Sequence, residues 1–389
     1  MDALPPTPLR KPAAPSSFPE SPLSRALRQP MMLGLFLPIQ AGGWTSSKTP
    51  RTTTWTFDYN AALTQQAEAL GFDIVFGLAQ FLPKGGYDEV RDGQALDSFM
   101  TVAALAAITT RILLVSTVHV LYGPWHPLYF AKFGATMDHI AKGRWGVNVV
   151  TGHRTVEHEM FGGAQIEHDR RYRLADEFLD VVKHLWAADE NFSYQSETWG
   201  LKDAFVTPKP AYGRPIIVNA TGSEAGMGFA AAHSDLVFIS SPTGTAFETA
   251  IDALPAHVAK VKAAAQAAGR EVRVIINPMV ILGETDGAAN DYAESIIAGS
   301  VAGDTVFGGF KSDAHAWAKR KDYDTARQRA LGGGNLQIIG GPEDVADSIA
   351  RLHEAGVDGV QLSFFDFSLD LALFGDRVLP LLKARGLRL

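Results

Sequence analysis

From Met31 onward, compact apolar runs alternate with longer stretches in which apolar side chains recur every three or four residues. The first run, MMLGLFLPI over 31–39, has no charged interruption, the pattern of a strand buried on both faces. A Gly/Ser/Thr-rich loop over 41–56 follows it. Further short runs predict strands over 73–76, 111–118, 144–150, 215–219, 235–239, 272–280 and 359–364. Between them the spacing predicts helices over 58–70, 94–108, 128–139 and 172–186. In the last of these, Leu174, Phe178, Val181 and Leu185 share one face at a period close to 3.6.

Eight strands separated by helices predict an α/β fold, a (β/α)8 TIM barrel with insertions, whose C-terminal loops would collect the active site. A doubly wound sheet is the alternative, because alternation does not by itself show closure. The insertions fall near 191–206, where β-forming residues with polar spacers suggest a hairpin, and near 283–341. The second is long enough for a lid or added subdomain, or for packing against a partner subunit. Residues 1–30 are rich in Pro and Ser without a regular apolar period and predict a flexible N-terminal arm; residues 31–389 form a single barrel domain.

Composition narrows the chemistry. Of 389 residues, 46% are hydrophobic and 20% charged, enough apolar material for a large core. The absence of cysteine excludes disulfides, thiolate catalysis and Cys-ligated zinc or iron–sulfur centres. The first thirty residues lack an apolar h-region, and no later stretch of eighteen residues is uninterrupted by polar groups; a cytoplasmic, non-membrane protein is expected. A net charge of −7 gives no global attraction to nucleic acid. No GxGxxG follows the first strand, and no P-loop, HExxH or EF-hand pattern occurs; the glycine run at Gly332, Gly333 and Gly334 reads as a turn.

The richest segment is NVVTGHRTVEHEMFGGAQIEHDRRYRLADEFLDVVKHLW, from Asn148 to Trp186. Asn148, near the end of the fourth strand, can pair with a polar heterocycle or brace a loop. His153, Glu157, His158 and Glu159 can serve a pocket or form loop ion pairs; their spacing matches no recognised zinc signature, and no metal is expected. Asp169 can cap the following helix, Arg170 and Arg171 can meet a phosphate or nearby carboxylates, and Tyr172 can line a pocket or the core. Thr221, Gly222 and Ser223 stand just before a helix, a place for a phosphate or a simple helix start. On the third strand, Thr117 and His119 can face a barrel-mouth ligand, as can His126 beyond it, or bond within the loop. Trp44, Trp55, Trp125 and Trp199 can build an apolar wall.

Together these segments resemble the bacterial luciferase-like flavin monooxygenases, nearest the pyrimidine monooxygenase and dimethyl-sulfone or alkanesulfonate monooxygenase branches. The most specific pieces are NVVTG at 148–152 and EHDRRY at 167–172, supported by STVHVLYGPWHP, PKP at 208–210, NATGSEAG and GGPEDVADSIARL. The resemblance implies FMN as FMNH2, O2 as cosubstrate, a separate NAD(P)H-dependent flavin reductase, and a homodimer or homotetramer. It implies that Asn148, Glu157 and Tyr172 contact the flavin, that Ser223 aided by Gly222 meets its phosphate, and that Thr117 and Asn148 orient oxygen, with His119 on the substrate side. The implied reaction oxygenates a small organic molecule, with C–N or C–S cleavage among its outcomes. A deazaflavin-dependent oxidoreductase on the same barrel, a flavin-binding protein without turnover, and a hydrolase pairing Glu157 with Glu167 are the alternatives.

Overall fold

The computed structural model describes residues 9–84, 90, 93–301, 326–332 and 335–389. Its strands are β1 (Met32–Phe36), β2 (Ile74–Phe76), β3 (Leu113–His119), β4 (Trp145–Val150), β5 (Phe192–Gln195), β6 (Gly200–Ala204), β7 (Ile216–Thr221), β8 (Leu236–Ile239), β9 (Arg273–Ile276), β10 (Pro278–Leu282), β11 (Leu336–Gly340) and β12 (Gly359–Leu362). The helices used below are α1 (Pro22–Ala26), α2 (Phe57–Ala69), α3 (Ser98–Ile108), α4 (Pro127–Ile140), α5 (Thr155–Met160), α6 (His168–Ala187), α7 (Glu224–His233), α8 (Phe247–Ala267) and α9 (Asp286–Ala298).

Eight of these strands close into a parallel barrel in the order β1-β12-β9-β8-β7-β4-β3-β2. Closure comes from β12 returning beside β1, with Met32 opposite Gly359 and Leu35 opposite Leu362. That pairing decides for the barrel over the doubly wound sheet. A side chain at Gly34 would collide with Gln361, its Cβ lying 2.5 Å from Oε1, so glycine there lets an amide lie inside the barrel.

Alternate residues of each strand face opposite ways. The inward set starts with Met32, Ile74, Leu113, Ile216 and Leu236 and rises to Phe36, Phe76 and Phe238, which pack together with Trp44. The outward set, including Leu33, Val75, Leu114, Trp145, Ile217 and Val237, meets the helices in the larger core. Burying each such side chain stabilises the fold by roughly 1.5–3 kcal/mol, which is why the strands read as unbroken apolar runs rather than alternating ones.

Three expectations need correction. Residues 15–26 do not behave as a loose arm: α1 is capped by Ser21 Oγ, and its Leu23 and Ala26 are buried in the apolar cluster of the inner barrel. The arm therefore stoppers the N-terminal end, which would otherwise leave apolar ends in water. The single strand expected over 272–280 divides at Asn277, after which β10 leaves the barrel ladder and pairs in parallel with β11. Pro278, which has no N–H to give a ladder, begins that new strand. Finally, the helix expected from 94 starts at Ser98, because the Asp97 side chain accepts from Met100 N and sets the cap.

Between α6 and β7, β5 and β6 form an antiparallel hairpin with Tyr194 opposite Leu201. In the longer insertion, the described part comprises α9, a short helix Ala326–Ala330 and β11. Residues 302–325, with most of VAGDTVFGGF, and Gly333 and Gly334 lie outside the described residues.

Candidate active site

The C-terminal ends of β3 and β4 set the centre of the site. Register places Thr117 opposite Asn148, and both continue the inward-facing rows of their strands. The Asn148 amide spans the mouth: Nδ2 donates to Thr117 Oγ1 at 3.1 Å, and Oδ1 accepts from Ala220 N of β7 at 3.2 Å. Thr117 Oγ1 in turn donates to Gly77 O at 2.9 Å. Ser98 Oγ anchors the same strand end to α3 through Thr117 N (3.0 Å) and Thr117 O (3.3 Å). Both residues are buried, so the Thr117 hydroxyl has its proton committed to a carbonyl and presents a lone pair to anything that docks there.

Beyond Thr117 the strand delivers His119 against the loop residue Tyr122. The two rings stack at 4.8 Å, and Tyr122 stacks on Phe161 at 5.2 Å. Glu157, 1% exposed, lies behind this stack. It accepts from Tyr122 OH at 2.9 Å, from Phe81 N at 3.0 Å and from Arg154 Nη1 at 3.2 Å, and stands 4.0 Å from His119 Nε2. Burial, with Arg154 and His158 adding to it, holds the His119 pKa down to about 3, so its imidazole is neutral at physiological pH. Burial and the neighbouring Glu157 carboxylate raise the Tyr122 phenol, which stays protonated and donating.

Against this corner lies a cavity of about 150 Å³. Its walls are mostly rings: Phe81, Phe99, Tyr122, Trp125 and Phe161, with His119 and Thr117 at the barrel side. Edge-to-face and tilted contacts, 5.1 Å for Phe81 with Phe161 and 5.7 Å for Phe99 with Trp125, hold the walls to one another.

The remaining sequence candidates are distributed around the mouth. Ser223 is the N-cap of α7, its Oγ accepting from Gly226 N at 3.1 Å, with Gly222 exposed before it. Tyr172, near the start of α6, packs against Phe229 in the middle of α7 at 5.9 Å. Glu167, not Asp169, caps α6: its carboxylate accepts from Asp169 N and Arg170 N, while Asp169 pairs with His168. Arg170 is exposed and stands 4.0 Å from Glu197 of the hairpin, whereas Arg171 is buried, donating to Ile166 O at 2.5 Å. His126 caps α4 through Leu128 N. Of the tryptophans, Trp44 packs on Phe36 at 3.9 Å, Trp125 lines the cavity, and Trp199 sits 5.5 Å from Phe178.

Of the predicted residues, then, Thr117 and His119 line the cavity and Asn148 adjoins it through Thr117. Glu157 stands one residue behind; Tyr172 lies near the start of α6, and Gly222 and Ser223 lie at the start of α7. The sequence reading missed Tyr122, Phe81, Phe99 and Phe161, which carry no spacing signal because they come from separate loops and a helix. It also missed two buried polar atoms without partners on the last barrel strand and just beyond it, Gln361 Oε1 and Ser363 Oγ, and a third at Asn277 Oδ1 beyond β9. Partnerless buried polar atoms on and just beyond barrel strands, together with the N-terminus of α7 following β7, fit a large polar cofactor that carries an anionic end.

A closed parallel barrel with its polar groups and its cavity gathered at the C-terminal mouth defines a protein of the TIM-barrel class, in which that face carries the active site. The chain belongs to the luciferase-like monooxygenase family, which residues 31–359 match. It is 30% identical to the FMNH2-dependent dimethylsulfone monooxygenase of Pseudomonas putida, across 92% of this chain and 96% of that one. It is 33% identical to the pyrimidine monooxygenase RutA of Allorhizobium ampelinum, across 91% and 96%. Among solved structures, a riboflavin lyase bound to modified FMN and riboflavin shares the fold, with a TM-score of 0.81 at 23% identity and 92% coverage of both chains.

Proposed function

We propose that this chain is a two-component monooxygenase that uses FMNH2 and O2 to place one oxygen atom on a small organic substrate, with C–N or C–S cleavage among the outcomes. Family membership and the full-length similarity to FMNH2-dependent enzymes support the flavin. One observation carries the site: buried Thr117, braced by Asn148, lines a ring-walled cavity. Reduced FMN, when bound, supplies the oxygen chemistry that no side chain here could perform.

The chain's own residues position and shield. Ser223 and Gly222 at the start of α7 receive the phosphate end, and Tyr172 walls that side. Asn148 and Thr117 hold the reacting end with fixed dipoles, and the aromatic walls exclude water from it. His119, a neutral imidazole, can hold or pass a proton at a ring nitrogen without first losing a charge. Glu157 acts through Tyr122, Arg154 and Phe81, and so positions the pocket rather than touching the flavin. A separate NAD(P)H-dependent reductase delivers FMNH2, and the chain works as a single barrel domain in a cytoplasmic homodimer or homotetramer. Among the described residues no helix is long and apolar enough to cross a membrane.

The test is oxygen bookkeeping with ¹⁸O2. Protein supplied with FMNH2 and a panel of small sulfones, sulfonates and ring compounds should put one labelled atom into product and release less peroxide than free FMNH2. Turnover that proceeds without oxygen and needs a reduced deazaflavin would replace this reading with the hydride-transfer alternative.

A further inference from the structure

We infer that Gln40 and Gln80 are positioning residues: with Arg154 they form one directed relay of hydrogen bonds that couples the loop after β1, and the Trp44 ring it carries, to the aromatic wall of the cavity. The inference rests on the oxygenase reading, in which FMN docks at this mouth.

The relay runs from a cation to a carbonyl. Arg154 Nη1 donates to Gln80 Oε1 at 3.3 Å, Gln80 Nε2 donates to Gln40 Oε1, and Gln40 Nε2 donates to Gly43 O at 2.7 Å. Its direction is fixed by its ends. A guanidinium only donates and a carbonyl only accepts, so turning either amide over would set N–H against N–H or oxygen against oxygen. Gln40 is buried, so a broken link there leaves polar groups without water to replace it.

Each end holds a part of the mouth. Arg154 Nη1 also donates to Glu157 Oε1 at 3.2 Å, the same oxygen that accepts from Phe81 N at 3.0 Å. The neighbours Gln80 and Phe81 are thus held by two different partners: the Gln80 side chain by the loop after β1, and the Phe81 backbone by the carboxylate that also holds Tyr122. At the other end, Gly43 N donates back to Gln40 O at 3.0 Å and closes a turn in which Gly42 and Gly43 have φ of 72° and 53°, left-handed values that glycine adopts without strain. That turn delivers Trp44 onto Phe36 at 3.9 Å, with the indole N–H donating to Phe36 O at 3.3 Å. Phe36 packs on Phe76 in the inner barrel, so Trp44 sits on the apolar floor of the mouth. The end of the connection from β2 to α3 joins at the same place, Ala41 N donating to Gln94 O and Leu96 N to Ile39 O, each at 2.8 Å. Hydrogen bonds aligned in series polarise one another, so the two amides act as a unit, and losing either releases Trp44.

Gln80→Met and Gln40→Met each remove one amide at similar volume. Gln80→Glu keeps an acceptor for Arg154 but faces Gln40 Oε1 with a second oxygen. The purified full chain is titrated with FMN by fluorescence quenching, and tryptophan emission is recorded without flavin. Each methionine variant should weaken FMN about fivefold, the double variant no more than either, and Gln80→Glu as much as Gln80→Met. Both methionine variants should shift the tryptophan emission, and the shift should vanish in a Trp44→Phe background. Losses that multiply to about twenty-fivefold in the double variant would make the amides independent braces. Wild-type affinity in Gln80→Glu would reduce Gln80 to a partner of Arg154, and emission indifferent to Trp44 would uncouple the loop from the wall. Any of these three results overturns the inference. Wild-type protein that binds no FMN and puts no ¹⁸O into product removes the oxygenase reading instead, and the Trp44 response, which needs no flavin, still decides the relay.

Discussion

Replacing Glu157 separates two accounts of that residue. By resemblance it contacts the flavin; in the structure it is buried behind the Tyr122–His119 stack and accepts from Tyr122 OH, Phe81 N and Arg154. Glu157→Ala removes three hydrogen bonds to a carboxylate and leaves Tyr122 OH buried without its acceptor. At about 1.5 kcal/mol for each bond to a charged acceptor, the loss is on the order of 4–5 kcal/mol. Glu157→Gln keeps the volume, can still accept from Phe81 N and can donate to the Tyr122 oxygen, but loses the charge opposite Arg154; about 1–2 kcal/mol is expected. Urea unfolding at neutral pH measures both. The functional expectation is a split: the KM for substrate rises as Phe81 and Tyr122 loosen, while FMN affinity measured by fluorescence quenching stays within twofold. Alanine costing under about 1 kcal/mol would refute the burial reasoning. A tenfold loss of FMN affinity in the glutamine variant would restore the flavin contact.

Three further outcomes follow from other parts of the molecule. Leu23→Ala, at the foot of the barrel, should cost about 2–5 kcal/mol in the same unfolding assay, and a cost below about 0.5 kcal/mol would return the segment to a loose arm. Burial, with the Asp366 carboxylate adding to it, raises the Asp370 pKa from 3.8 to about 7, so the folded state holds a proton that the unfolded chain has released. That contribution is complete below pH 3.8 and is lost as pH rises to about 7; Asp370→Asn should flatten this part of the stability profile, and an unchanged slope would sink the assignment. Ser223→Ala removes the cap of α7, at about 1 kcal/mol, and should weaken FMN several-fold while leaving riboflavin alone; equal losses for both ligands would place the phosphate elsewhere.

Much of the architecture was legible because parallel strands covered on both faces must be apolar throughout. Runs such as MMLGLF and RILLVSTV announced β1 and β3, and the helical stripe Leu174, Phe178, Val181 and Leu185 announced α6. The family motifs drew attention to Asn148 and Thr117 before any register was known. Closure was not legible, since nothing local in β12 says that Gly359 will lie opposite Met32. Nor was the break at Asn277, because one continuous apolar run serves two sheets equally well. The cavity was the least legible part: its rings are spread over residues 81–161 and meet only after the barrel closes. The sequence by itself determined the alternation of strands and helices and the residue types at the strand ends, because those depend on local periodicity and composition. Tertiary structure alone decided that Glu157 faces Tyr122 and that Thr117 has spent its proton, because hydrogen-bond partners and electric fields are properties of neighbours in space.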